Sequence, residues 1–389
     1  MVKNKKSFAS ILQSIDDERE RKLSRKLPEW SGLGVRVPSA LALEQCSSSA
    51  AASYKAALAL EWAGGSLGTV CDITGGLGSD ASAFAAVADK VVYYEKNPAL
   101  VDAARHNCSL LGIDNIEFHC EEIGEDSNLP ECDMAYADPA RRDVSGRKVF
   151  RLEDCSPDIG ALAPGILEKA CRLMVKLSPM ADISVLLSRF GGMLEKLHVV
   201  SIGGEVKELL CLLRSGASFA GIRVVELGRA ERTFEFMPED EDKAVYVPAE
   251  EVRPGQLLLE PSAGILKSGA FKLVCSRFWI CKLAPSTHLY VSGGIGGNCS
   301  PVLPPETFFR RYIIERVLPL NAESTRLLRS SCLEADVSAR NIRMDSAELM
   351  RHIGCRPGGG KHIFGCHTDC SGNLLIVARR ICGDDVASC

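Results

Sequence analysis

The sequence predicts an α/β fold: a mostly parallel sheet covered by helices, closed by one antiparallel hairpin strand and followed by a small α+β module. Three observations predict it. Apolar strand-like runs alternate with helical stretches from Gly68 to about residue 200, the pattern of a parallel sheet with helices on both faces. The runs 197–202 and 206–213 are both strand-like and separated only by Gly203-Gly204-Glu205, which permits a tight hairpin and leaves no room for a crossover helix. The last segment, about 330–389, reads strand, helix, strand, strand.

Taken in order, residues 1 to about 30 mix charges of both signs with sparse apolar positions and read as helix, ended by Pro28-Glu29-Trp30-Ser31-Gly32. A second helical stretch, 47 to about 63, is rich in alanine. The strand-like runs that follow are 68–73, 90–94, 116–119, 132–137, 171–177 and 197–202, with helices such as 98–111 and 182–190 between them. The acidic run Glu239-Asp240-Glu241-Asp242 after Pro238 reads as a solvated linker. Beyond it, 261–278 is helical in pattern and 301–305 is a break. In the last segment the strands are 333–339, 361–366 and 374–380. Its helix starts at Asp345, with Glu348 three residues on as in a capping box, and stops at Gly354. These signals divide the chain into a helical N-terminal segment (1–63), a cofactor-binding domain (64–238), a connecting region that is ferredoxin-like or linker (239–325) and a terminal α+β domain (326–389).

With 389 residues, 46% of them apolar and 25% charged, the chain has material for two or three domains. No apolar run approaches a membrane span, and the basic start Met1-Val2-Lys3 is followed by no signal-peptide pattern, so no membrane partner and a cytoplasmic location are expected. Seventeen cysteines in a chain this long, without an export signal, read mostly as reduced core residues; Cys71, Cys171, Cys211 and Cys275 all lie in apolar runs. The net charge of −4 means that any nucleic-acid surface must be a local patch.

The strongest local motif is Val70-Cys71-Asp72-Ile73-Thr74-Gly75-Gly76-Leu77-Gly78-Ser79-Asp80: a strand ending in an acid, then a glycine turn, then a helix. Such a turn lets backbone approach a ligand closely and aims helix N–H groups at it. The next strand ends at Glu95, where a carboxylate can accept both hydroxyls of a ribose. The glycines also fit the NAD pattern, but Asp72 before them would repel a pyrophosphate and suits the amino group of methionine, which favours S-adenosylmethionine. A glycine turn without a ligand is the bland alternative. Met134-Ala135-Tyr136-Ala137-Asp138-Pro139 ends the fourth strand at the same edge, where Asp138 can orient an acceptor atom or take its proton, or serve only as a capped turn. Arg141, Arg142, Arg147, Lys148 and Arg151 follow in one short loop, which suits either phosphate contact or a solvated face. Glu205 joins the hairpin at this edge and is either a substrate contact or a plain turn residue. The cluster His352, Cys355, His362, Cys366, His367 and Cys370 lacks a C-x2-C pair and reads as a hairpin with incidental cysteines rather than zinc, so no metal is expected.

In order and spacing, 72–78, Glu95, 107–122 and 138–142 resemble class I S-adenosylmethionine-dependent methyltransferases, which have a Rossmann-like core. Ala104-Arg105-His106-Asn107 through Gly112-Ile113 resembles the A-x-x-N-x-x-x-x-G-I helix of their RNA-modifying branch. With Leu43-Glu44-Gln45-Cys46-Ser47-Ser48 and Glu260-Pro261-Ser262-Ala263-Gly264-Ile265-Leu266-Lys267, the likeness extends to bacterial methyltransferases with a THUMP-like C-terminal domain. The resemblance implies that Asp72, Thr74, Gly76 and Gly78 hold the methionine part of the cofactor, Glu95 the ribose and Glu122 the adenine amino group. Gln45 and Ser47 would close over the methionine carboxylate, Asp138 and Pro139 would line the methyl-transfer site, and Arg141, Arg142 and Glu205 would meet substrate. RNA, as tRNA or rRNA, is the expected partner, with a protein or small-molecule acceptor, or a vestigial fold that only binds nucleic acid, as alternatives.

The sequence departs from the family pattern at specific places. Thr74 replaces the usual first glycine, which requires a negative φ there. Ala140-Arg141 stands where many amino-group methyltransferases carry a Pro-aromatic pair, which points away from exocyclic N-methylation. Lys176-Leu177-Ser178-Pro179 lacks the cysteine that covalent C5 chemistry on uridine needs. Arg340, Arg343, Arg351, Arg356, Lys361, Arg379 and Arg380 are expected to form a basic face on the terminal domain.

Overall fold

The computed structural model describes residues 8–140, 155–228, 233–292, 304–331 and 333–381. The chain folds into two compact units, residues 1–198 with 207–220 and residues 199–206 with 221–389.

The first unit opens with helices α1 (Phe8–Lys26), α2 (Ala40–Gln45) and α3 (Ser49–Trp62). Ser39 and Ser48 cap the latter two, each hydroxyl accepting a first-turn amide. Leu23, Leu27 and Trp30 pack with Leu43, Leu77 and Ala103, so the N-terminal helices bury their apolar side against the glycine turn. The alternating part is β1 (Thr69–Asp72), α4 (Ser79–Ala85), β2 (Lys90–Tyr94), α5 (Pro98–Leu110), β3 (Ile116–His119), β4 (Met134–Ala137), α6 (Ile159–Lys169), β5 (Leu173–Leu177), α7 (Ile183–Phe190), β6 (Leu194–Ile202) and β7 (Glu205–Leu213).

Across this unit the strand order is β3-β2-β1-β4-β5-β7-β6. The pairs among β1 to β5 are parallel, and β7 lies antiparallel to β5, with Val175 opposite Cys211. The expected sheet with its single hairpin is therefore present. β1 and β4 are neighbours where the strand order reverses, and in open α/β sheets the crevice beyond the carboxyl ends at that point takes the ligand.

The second unit carries β8 (Ile222–Leu227) paired with β9 (Thr233–Phe236), then α8 (Pro238–Lys243). It continues with β10 (Leu257–Pro261), α9 (Ala263–Ser268), α10 (Leu273–Phe278), β11 (Ile280–Ala284), β12 (Thr287–Ser292), β13 (Phe309–Pro319), α11 (Ala322–Ser330), β14 (Asp336–Arg340), α12 (Ser346–Ile353), β15 (Lys361–Thr368) and β16 (Gly372–Ile381). Seven of these strands form one sheet, β11-β12-β10-β13-β16-β15-β14, in which the expected connecting region and the expected terminal domain both supply strands. Asp345 caps α12 by accepting the Glu348 amide, and Gly354 ends it in the left-handed region.

Two expectations are corrected. The acidic run is not a linker: Pro238 starts α8, and Glu241 accepts the amides of Lys272 and Leu273 at the start of α10, so the carboxylates serve helix ends. Cys171 is exposed because it precedes β5, whereas Cys71, Cys211 and Cys275 are buried as their apolar surroundings imply. No helix among the described residues is long and apolar enough to cross a membrane.

Candidate active site

The glycine turn between β1 and α4 is shaped by the strand beside it. A Cβ on Gly75 would lie 2.0 Å from a ring carbon of Tyr93, so only glycine lets the turn rest on that ring. The Tyr93 hydroxyl donates to the Gly76 carbonyl at 2.6 Å, and Gly78 stands in the left-handed region (φ 88°) as α4 begins. Tyr93 went unnoticed in the sequence because an aromatic residue in a buried strand is ordinary core.

Three acidic strand ends converge on this turn. Asp72 is 1% exposed; one carboxylate oxygen accepts the Thr74 amide at 3.1 Å, and the other has no partner among the described residues. Burial, with Asp80 and other carboxylates nearby, pushes its carboxyl well above the usual range. Glu95 follows β2 and accepts the Gly76 amide at 3.0 Å and the Asn97 amide at 2.9 Å, which fixes its carboxylate at the lip of the turn and leaves each oxygen a second lone pair.

Asp138 follows β4, and its amide donates to Thr74 Oγ1 at 2.6 Å. Thr74 does not have a positive φ, so the departure from glycine is sterically free and adds a hydroxyl that ties the glycine turn to the end of β4. Lys176, on β5, donates through Nζ to Asp138 Oδ2. Burial alone would lower the Lys176 pKa, but Asp138, Asp80 and Glu208 outweigh it and hold the ammonium above the ordinary lysine range. The side chain of Asp138 is 32% exposed and that of Lys176 13%, so the pair sits at the open end of the strands. Pro139 beside them is buried.

Beneath this edge lies a buried polar group that the sequence did not announce. Lys55, on α3 and fully buried, donates to Ser47 Oγ at 2.9 Å and to both Glu208 oxygens at 3.2 Å, and pairs with Asp80 at 3.1 Å. Ser47 and Tyr136 both donate to Asp80 Oδ2, at 2.7 and 2.9 Å. Burial raises the Asp80 carboxyl, yet Lys55 and Lys176 more than offset it and keep Asp80 below the usual range. For Glu208 burial wins over the same two cations.

The remaining expected site residues fall as follows. Ser47 is committed to Asp80 and Lys55, while Gln45 is exposed at the end of α2. Glu122 is about half exposed and accepts from Lys96 at 2.7 Å. Asn107 is buried, accepting the Arg36 amide and donating to its carbonyl, so the asparagine of that helix motif anchors the N-terminal segment. Glu205 opens β7, is exposed and belongs to the second unit, where Glu226 accepts the Gly204 amide in the hairpin turn. Arg141, Arg142, Arg147, Lys148 and Arg151 lie outside the described residues. On the second unit, Arg340 pairs with Glu260, and Lys361 and Arg379 with Glu315; the expected basic face is neutralised at those three positions.

The chain is similar to several known proteins. Residues 258–295 match the model of a ferredoxin-like domain family. An uncharacterised S-adenosylmethionine-dependent methyltransferase of Mycobacterium tuberculosis is 26% identical over 296 residues, covering 74% of this chain and 75% of the relative. The crystal structure of a candidate methyltransferase from Porphyromonas gingivalis W83 is 30% identical, covers 93% of this chain and 88% of its own, and superposes with a TM-score of 0.79. This chain belongs to the class I S-adenosylmethionine-dependent methyltransferases. As a methyltransferase of that class, it places Asp72, the glycine turn, Glu95 and Asp138 along one hydrogen-bonded path at the open end of its sheet. Lys176 is the residue at this edge that sequence reasoning passed over. The available signal was a lone cation inside an apolar strand, which a buried sheet tolerates only beside an anion.

Proposed function

We propose that this methyltransferase moves the methyl group of S-adenosylmethionine directly onto an atom of an RNA base, in tRNA or rRNA. The observation that carries the proposal is the Asp138–Lys176 pair, with the Asp138 amide tied by the Thr74 hydroxyl to the glycine turn.

When bound, S-adenosylmethionine supplies an electrophilic methyl group on a cationic sulfur. The chain's residues fit it: the unpartnered oxygen of Asp72 suits the methionine ammonium, the Cβ-free turn admits close backbone contact, and Glu95 has lone pairs for the two ribose hydroxyls. In this reading Glu122 meets the adenine amino group and Gln45 the methionine end. Asp138 keeps one oxygen on Lys176 and offers the other to the acceptor. With one oxygen held by the ammonium, the task of Asp138 in this reading is to orient the acceptor in line with the methyl group. RNA is supported by the basic run that follows Asp138 in the sequence and by the resemblance of 103–113 to RNA-modifying relatives. The second unit, read as THUMP-like, would present that RNA.

Replacing Glu95 with Ala tests the cofactor role. Losing hydrogen bonds from a charged acceptor is expected to weaken cofactor binding by about 1.5–3 kcal/mol in calorimetry. Glu95→Gln, which keeps one acceptor oxygen, should lose less. Unchanged affinity in the alanine variant would rule out the ribose contact.

A further inference from the structure

A cavity of about 610 Å³ opens in the second unit, between α11, the turn from β14 into α12, the end of α12 and the start of β16. That volume lies in the range of about 300–1,000 Å³ typical of small-molecule sites. Its lining holds Arg326, Arg329 and Arg343, with Leu320, Ile342 and Met344 as apolar wall, and no carboxylate. Carboxylates neutralise part of the positive charge elsewhere in the unit. Glu260 takes up Arg310 and Arg340, and Glu315 takes up Lys361 and Arg379. Arg326 and Arg343 have no ion pair or hydrogen bond among the described residues, and both are exposed. Arg329 is held in place by donating to the His352 carbonyl at 3.0 Å, at the end of α12. Three guanidiniums around one hollow repel one another and raise a local positive potential that only an incoming anion offsets.

We infer that this cavity binds a nucleotide of the substrate RNA in single-stranded form, the arginines meeting its phosphate and the apolar wall its unstacked base. The inference rests on the RNA reading given above and adds the place where the strand is held. Guanidinium forks match phosphate oxygens in pairs. The apolar wall argues for a single strand, because a duplex keeps its base faces stacked and shows proteins mainly phosphate and sugar.

The full chain is tested with a short fluorescent single-stranded RNA of mixed sequence, comparing wild type with the double variant Arg326→Ala/Arg343→Ala. Both side chains are exposed and unpaired, so the fold should hold, which unchanged S-adenosylmethionine affinity and an unchanged melting curve would verify. RNA affinity should fall about tenfold, and the salt slope should flatten by about 1.4, since each lost contact with a single strand removes about 0.7. The control Arg351→Ala/Arg356→Ala, outside the cavity, should stay within about twofold of wild type. The cavity assignment is overturned if the Arg326/Arg343 variant binds RNA as wild type does, or if the control weakens binding equally, since diffuse charge would then explain the effect. Failure of wild type itself to bind the RNA is a separate result: it removes the RNA reading, and the cavity assignment falls with it.

Discussion

Replacing Asp138 with alanine should slow methyl transfer about 10²–10³-fold, the usual cost of deleting one preorganised polar group at a reacting centre, while cofactor affinity stays close to wild type. The two effects separate because Asp72, the glycine turn and Glu95 do not depend on the Asp138 carboxylate, and Thr74 engages its backbone amide rather than its side chain. Lys176→Met tests the partner, which acts through Asp138. The ammonium fixes one oxygen of Asp138, so its loss should lower kcat while cofactor affinity and the melting curve stay close to wild type, and Lys176→Arg, which keeps the cation, should recover part of the rate. A Lys176 that only supported the strand would lower the melting curve, and its loss would not be rescued by the cation in Lys176→Arg.

The largest effect on stability should come from Lys55→Met. Lys55 is fully buried between Asp80 and Glu208, and its removal takes from two buried carboxylates the cation that touches them. Breaking a buried ion pair on one side costs about 3–5 kcal/mol. The loss should appear as faster hydrogen exchange across β1 and β4 together with an earlier denaturant transition. It should also depend on pH. Glu208, already raised by burial, loses one of the two cations that lower it, so the deficit builds as pH rises past the ordinary carboxylate range and shrinks as pH falls and that group protonates. Adding Asp80→Asn and Glu208→Gln should recover most of the stability, because the amides need no counter-charge. If Lys55→Met alone unfolds no earlier than wild type, the buried group is not a structural support.

Much of the first unit was legible because its signals are local. Val91, Val92, Tyr93 and Tyr94 form a continuous apolar run, which is what a strand buried on both faces requires, and β2 occupies it. Gly203 and Gly204 both adopt positive φ, so the hairpin between β6 and β7 could be read from two letters. Asp72, Glu95 and Asp138 were legible as strand-end acids for the same reason. Lys55 with Glu208 and Asp138 with Lys176 were not, since the partners stand 153 and 38 positions apart and meet only through strand order. The acidic run at Glu239 misled because composition reports solvation but not what a carboxylate caps. The pairing of Arg340 with Glu260 likewise could not be seen before the sheet placed them together.

The most direct test of the central claim is to map modified nucleotides in tRNA and rRNA from cells with and without this protein. One methylated position is expected to vanish in its absence, to return with the wild-type chain and to stay absent with Asp138→Ala. Identical methylation maps with and without the protein, under conditions where it is expressed and binds S-adenosylmethionine, would contradict an RNA substrate.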